Sequence, residues 1–113
     1  MHEYSIVQSL LGQCEEQAQA NDAKKITKVV VKIGVLSGVE RDLLESAFET
    51  FKEGTICNEA EFVVHMQPIL VRCLECKKES ELKRYEYICP HCKSANLEVL
   101  DGEDMYLMSL EME

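Results

Sequence analysis

Residues 26–36 read ITKVVVKIGVL and carry the most regular hydrophobic pattern in the chain. The apolar residues of this stretch alternate with lysine and glycine: Val29, Val31, Ile33 and Val35 stand against Lys28, Lys32 and Gly34. A two-residue period rich in β-branched side chains is typical of a strand with one buried face. The stretch therefore predicts a β-strand, which the Ser37-Gly38 pair that follows should end.

Helical periodicity lies on both sides of this strand. Between Tyr4 and about Ala20 the recurring apolar residues are Val7, Leu10, Leu11, Cys14 and Ala18; between Glu40 and Lys52 they are Leu43, Leu44, Ala47, Phe48 and Phe51. Gly54 supplies the usual C-terminal stop of the second helix. Residues 61–71, with a break at Pro68, and residues 105–112 predict further extended segments.

The order of these elements predicts an α+β fold. A small three-stranded sheet must be covered by two helices to bury the apolar stripes. A four-cysteine ribbon interrupts the chain before the last strand. We therefore expect a main domain of residues 1–67 plus 100–113 and an inserted ribbon of residues 68–99.

Composition excludes several classes of protein. The chain has 113 residues, 46% of them hydrophobic, and a net charge of −9. Its lysines and arginines alternate with glutamates over residues 75–86, which argues against a nucleic-acid partner. No apolar run of about 18 residues and no secretory signal pattern is present, so a cytoplasmic protein without membrane contact is expected. The absence of a nucleophile–histidine pair or a phosphate-binding loop argues against an enzyme.

Two Cys-x-x-Cys pairs, Cys73/Cys76 and Cys89/Cys92, are separated by twelve residues. In a reducing compartment such pairs are typical of a tetrahedral thiolate site, most often structural Zn(II). A rubredoxin-like iron site usually has glycine after each pair, where this chain has lysine. We expect a hairpin between the pairs, with Tyr85, Tyr87 and Ile88 packed beneath it, and an exposed His91.

His2 suggests a second metal site. A histidine in second position can chelate through its imidazole, its own backbone nitrogen and the amine of Met1, and the backbone nitrogen of Glu3 can complete a plane of four nitrogens. Square-planar nitrogen ligation suits Ni(II) or Cu(II).

The remaining cysteines and histidine are not expected to bind metal. Cys14 and Cys57 are expected in the core, and His65 is expected at the surface.

The sequence resembles the HypA/HybF family of hydrogenase maturation nickel chaperones. The resemblance rests on MHEYSIVQSLL, VVVKIGVLSGVE, SAFETF, MYLMSLEME and the spacing of both cysteine pairs. It implies that Met1, His2 and Glu3 bind Ni(II), that the four paired cysteines bind zinc, and that Glu40 orients His2.

The resemblance also implies partners for the chain. These are a HypB-type GTPase, the large subunit of [NiFe]-hydrogenase and urease maturation proteins. The sequence leaves both a monomer and a homodimer open. The alternative is a zinc-ribbon module that binds protein or nucleic acid and has no nickel role. The acidic balance of the chain argues against nucleic acid.

Overall fold

The computed structural model describes residues 2–82 and 86–113. For His2 it describes the backbone only. Over these residues the chain forms two helices and six strands. In chain order they are α1 (His2–Ala20), β1 (Ile26–Gly34), α2 (Arg41–Phe51), β2 (Glu61–Gln67), β3 (Ile69–Cys73), β4 (Glu79–Leu82), β5 (Leu97–Asp101) and β6 (Met105–Met112).

The first sheet has three strands in the order β2-β1-β6. The predicted strand β1 lies in the middle, parallel to β2 and antiparallel to β6. A parallel neighbour needs a crossover connection, which α2 provides between β1 and β2. The predicted α+β fold with a small three-stranded sheet and two helices is confirmed.

The larger hydrophobic core lies between this sheet and the two helices. Val29, Val31 and Ile33 of β1 are fully buried, as their alternation predicts. Phe48 of α2 stacks on Phe62 of β2 with ring centroids 4.2 Å apart, which fixes the helix against the sheet.

Among the described residues, no helix has the length and apolar character needed to cross a bilayer.

A second three-stranded sheet, in the order β4-β3-β5, contains the cysteine region. Among the described residues, the buried apolar cluster of this sheet is small: Ile69, Val71 and Leu82. Strand β5 was not predicted, and it extends the sheet to Asp101. The division into two domains stays a prediction.

The expected hairpin between the cysteine pairs is wrong for the described residues. Strand β4 pairs with β3, which precedes the first cysteine pair. Tyr87 and Ile88 are exposed by 42% and 50%, so they do not pack beneath a hairpin. Tyr85 lies outside the described residues.

The two sheets meet where β1 ends and β5 ends. The backbone N–H of Leu36 donates to the carbonyl of Gly102 at 2.7 Å, and that of Gly34 donates to the carbonyl of Asp104 at 2.9 Å. The Nζ atom of Lys32 on β1 lies 2.7 Å from a carboxylate oxygen of Asp101 on β5. This lysine holds the pKa of Asp101 below its ordinary value, with a further contribution from the N–H of Gly102.

Candidate metal centre

The two cysteine pairs form turns of the same shape. In each turn the N–H of the residue after the second cysteine donates to the carbonyl of the first cysteine at 2.9 Å: Lys77 to Cys73 and Lys93 to Cys89. Both lysines have positive φ, 64° and 66°. Glycine adopts this conformation most easily, so these lysines occupy the place where rubredoxin-like turns have glycine.

The turns bring four thiols together. One ligand atom from each of Cys73, Cys76, Cys89 and Cys92 lies within 4.8 Å of the others. The Sγ atoms of Cys73 and Cys92 are 3.5 Å apart, and those of Cys76 and Cys89 are 3.7 Å apart. A tetrahedral ion with sulfur bonds of about 2.3 Å requires sulfurs about 3.8 Å apart. The four thiols therefore fit such an ion.

Backbone N–H groups point at the sulfurs from inside each turn. The N–H of Cys76 donates to the Sγ of Cys73 at 3.4 Å, and the N–H groups of His91 and Cys92 donate to the Sγ of Cys89 at 3.4 and 3.5 Å. Hydrogen bonds to a thiolate favour its charged form. The N–H of Cys92, followed by that of His91, lowers the pKa of Cys89 to about 6 despite burial.

For Cys92, the contributions that raise the pKa outweigh the one that lowers it. Its largest single contribution, the N–H of Ser94, lowers its pKa, but the thiol of Cys73, loss of solvent and the thiols of Cys89 and Cys76 together raise the pKa to about 12. Four adjacent thiols cannot all ionise without a counter-charge, because like charges at this distance repel. A divalent cation bound by the four thiolates would supply that counter-charge.

The protein supplies all four ligands of this centre. Cys73 and Cys89 are buried, Cys76 is half-buried and Cys92 is exposed. Four protein ligands leave no coordination position for water or substrate, which is typical of a structural ion. His91 is exposed, as predicted.

Of the other predicted ligands, the backbone of His2 and the whole of Glu3 are described, and both lie in the first turn of α1. Met1 and the side chain of His2 are outside the described part of the chain. Glu3 is only 9% exposed, and its Oε2 accepts a hydrogen bond from the backbone N–H of Glu40 at 3.3 Å. Glu40 is the N-cap residue of α2, so this contact joins the starts of the two helices. The family resemblance implied that Glu40 orients His2, but it did not indicate that the Glu3 carboxylate accepts a hydrogen bond from the Glu40 backbone.

The remaining two cysteines lie next to each other in the larger core. Cys14 and Cys57 are both fully buried, as predicted. Interaction with the Cys57 thiol, followed by burial, raises the pKa of Cys14, and interaction with the Cys14 thiol lowers that of Cys57. The sequence identified no partner for Cys57, because the two residues belong to segments far apart in the chain.

The fold and the four-thiol centre define a small metal-binding α+β protein. Residues 1–112 match the family described as hydrogenase/urease nickel incorporation, metallochaperone, hypA. The chain belongs to this HypA family of nickel metallochaperones for hydrogenase maturation. The family is described as a metallochaperone, and its curated relatives are described as hydrogenase maturation factors.

Relatives and solved structures agree with this assignment over the full length. The hydrogenase maturation factor HypA of Shewanella sp. (strain MR-7) is 58% identical over 113 residues, which cover 100% of this chain and 96% of the relative. The HypA of Aquifex aeolicus (strain VF5) is 53% identical over 113 residues, which cover 100% of this chain and 98% of that relative.

Two solved structures give the same result. One is a solution structure of a HypA protein, whose sequence is 40% identical to this chain and whose TM-score is 0.76. The match covers 100% of this chain and 97% of the chain in that structure. The other is the solution structure of the nickel metallochaperone HypA of Helicobacter pylori, which is 38% identical and has a TM-score of 0.68. This match covers 97% of this chain and 96% of the chain in that structure.

Proposed function

We propose that this chain binds Ni(II) through the amine of Met1, the imidazole of His2 and the backbone nitrogens of His2 and Glu3, and delivers it during maturation of [NiFe]-hydrogenase. The four-cysteine centre holds a structural Zn(II). The nickel ion is the cargo, and the zinc ion stabilises the fold. A HypB-type GTPase is the proposed partner in delivery, and urease, which the family description also names, is a second acceptor to be tested.

The start of helix α1 is the observation that carries the nickel proposal. Helix α1 begins at His2, and the first N–H groups of a helix have no acceptor within it. The backbone nitrogens of residues 2 and 3 are therefore free of helical hydrogen bonds and can bind a metal after losing a proton. Nitrogen ligands in a plane favour Ni(II) and Cu(II) over ions that prefer oxygen or tetrahedral sulfur.

A nickel titration of zinc-loaded protein tests this assignment. His2→Ala, and a version with extra residues before Met1, should each abolish the square-planar nickel absorption band while the zinc content stays at one ion per chain. The matched control is His65→Ala, because His65 is an exposed histidine on strand β2; this variant should bind nickel normally. If the extended chain binds nickel as tightly as the native chain, the terminal amine is not a ligand.

Nickel binding should also depend on pH. The free α-amine titrates near about 7.7–8.0 and imidazole near about 6.5, and both groups bind metal only when unprotonated. Protons therefore compete with nickel, and the nickel affinity should fall as the pH decreases, with the ion lost near about pH 6. Nickel affinity measured by competition with a chelator between pH 7.5 and 5.5 checks this; a constant affinity would rule out these ligands.

Delivery is tested separately from binding. Nickel-loaded protein, incubated with the GTPase and the nickel-free large subunit of the hydrogenase, should transfer its nickel to that subunit. The His2→Ala variant, treated with the same amount of nickel, should not. Transfer that proceeds equally well with His2→Ala would mean that delivery does not use the N-terminal ligands.

A further inference from the structure

The larger core contains a pair of thiols that neither the zinc centre nor the proposed nickel site uses. Cys14 lies on α1, and Cys57 lies in the turn between α2 and β2. Both are free thiols, both side chains have 0% exposure, and both belong to one cluster of buried residues. The two sulfurs come from segments about 40 residues apart in the chain, so the fold itself brings them together.

The meeting point of the two cysteines is the start of strand β1. The backbone N–H of Ile26, the first residue of β1, donates to the carbonyl of the residue before Cys57 at 3.0 Å, which places that turn beside the strand. The end of α1 reaches the same place, because the N–H of Ala23 donates to the carbonyl of Ala18 at 2.8 Å. Cys14 precedes Ala18 by about one helical turn and lies on the same buried face.

Hydrogen bonds fix the turn that carries Cys57 and bring a cation close to its sulfur. The N–H of Cys57 donates to the Oγ1 of Thr55 at 3.1 Å, and its carbonyl accepts from the N–H of Ala60 at 2.9 Å. The Nζ of Lys52 donates to the carbonyl of Ala60 at 3.2 Å and so closes the turn. The thiol of Cys14, and after it this ammonium group, lower the pKa of Cys57 against the effect of burial. Cys57 is therefore the sulfur that ionises more easily.

We propose that Cys14 and Cys57 form a redox-active dithiol, which a small-molecule disulfide such as oxidised glutathione converts to an intramolecular disulfide. The thiolate of Cys57 attacks one sulfur of the oxidant, the S–S bond of the oxidant breaks, and one small thiolate leaves. Cys14 then loses its proton and attacks the mixed disulfide on Cys57, which releases the second small thiolate. The protein loses two electrons and two protons, and one oxidant molecule becomes two small thiols.

Burial makes this reaction slow and its product stabilising. The oxidant reaches the sulfurs only when the core opens locally. The product joins α1 covalently to the turn before β2 and closes a loop of about 40 residues, which lowers the entropy of the unfolded chain. The bond is the reverse of a thiol exchange, so an excess of a reducing thiol restores the two cysteines.

Incubation of zinc-loaded, nickel-free protein with excess oxidised glutathione tests the proposal, without urea and at a urea concentration below the unfolding transition, where the core opens more often. We expect the intact mass to fall by two hydrogen atoms with no glutathione added. Digestion without reductant should yield a joined pair of peptides that contain Cys14 and Cys57, and the zinc content should stay at one ion per chain. The midpoint of thermal unfolding should rise by about 10 °C, and dithiothreitol should reverse both changes.

Two matched variants separate the roles of the cysteines. In Cys14→Ala, the reaction should stop at a stable mixed disulfide on Cys57, because no second thiol displaces the glutathione. In Cys57→Ala, the remaining thiol of Cys14 should react about tenfold more slowly, because the thiolate is the attacking species. Equal rates in the two variants would contradict the assignment of Cys57 as the attacking sulfur.

The measurements on the native sequence decide the proposal even if a variant does not fold. A chain that keeps all its thiols reduced or zinc-bound under both conditions would overturn it. So would a disulfide that includes one of the four zinc cysteines, or a bond between Cys14 and Cys57 that leaves the unfolding midpoint unchanged.

Discussion

Replacing Cys89 with serine is expected to unfold the second sheet while the first sheet keeps its structure. Among the described residues, the core of the second sheet contains three buried apolar side chains, Ile69, Val71 and Leu82, whereas the core of the first sheet contains fourteen buried residues. So small a core cannot offset the entropy of ordering its strands. Binding of structural zinc typically contributes about 10–16 kcal/mol to such modules, and loss of one of four ligands removes most of it.

Amide spectra measure this effect residue by residue. In Cys89→Ser, and in native protein treated with a strong zinc chelator, the amides of β3 and β5 should lose their dispersion while those of β1 keep it. The control is Cys57→Ser, which changes a cysteine outside the four-thiol centre and should leave one zinc per chain. Dispersed β5 amides in the metal-free chain would show that the ion does not hold this sheet together.

Gly34→Ala is expected to destabilise the whole chain by about 3 kcal/mol, as overpacking a tightly filled position does. A Cβ atom at Gly34 would lie 2.3 Å from the carbonyl carbon and oxygen of Gly102 and 2.9 Å from the backbone nitrogen of Glu103. These are backbone atoms and cannot rotate away. Gly102 itself has a φ of +107° and lies against Pro68 and Ile69, so it cannot move without disturbing β3.

Urea unfolding followed by circular dichroism measures the change in the free energy of unfolding. The control is the same substitution elsewhere, Gly12→Ala, because a Cβ at Gly12 in helix α1 meets no atom within 4 Å. Alanine there should stabilise the chain by up to about 1 kcal/mol, as expected from helix propensity. Equal effects of the two substitutions would mean that the close approach of Gly34 to Gly102 does not constrain the fold.

Local patterns predicted the first sheet and both helices well. The alternation in residues 26–36 gave β1 and its buried face, and the apolar stripes gave α1 and α2 to within two residues. The paired cysteines predicted the four-thiol cluster, because a Cys-x-x-Cys turn needs only local backbone geometry. Each of these features depends on residues that are near one another in the chain.

The second sheet could not be predicted in the same way. Pro68 was interpreted as a break within one extended segment, but it separates β2 and β3, which belong to different sheets. Strand β5 has five residues and depends on pairing with β3, about 25 residues earlier in the chain. The positive φ of Lys77 and Lys93 and the contact between Cys14 and Cys57 likewise depend on the folded structure, and lysine and cysteine in a sequence do not indicate them.

Helix α1 limits how the proposed nickel ion can be handed over. The helix starts at His2, and Val7, Leu10, Cys14 and Ala18 anchor it in the core, each at most 3% exposed. Two of the proposed ligands, the backbone nitrogens of His2 and Glu3, belong to the first turn of this anchored helix. The proposed ligands therefore have almost no reach of their own. An acceptor must bring its empty nickel site against the end of α1, so that the ion passes directly across a protein–protein contact.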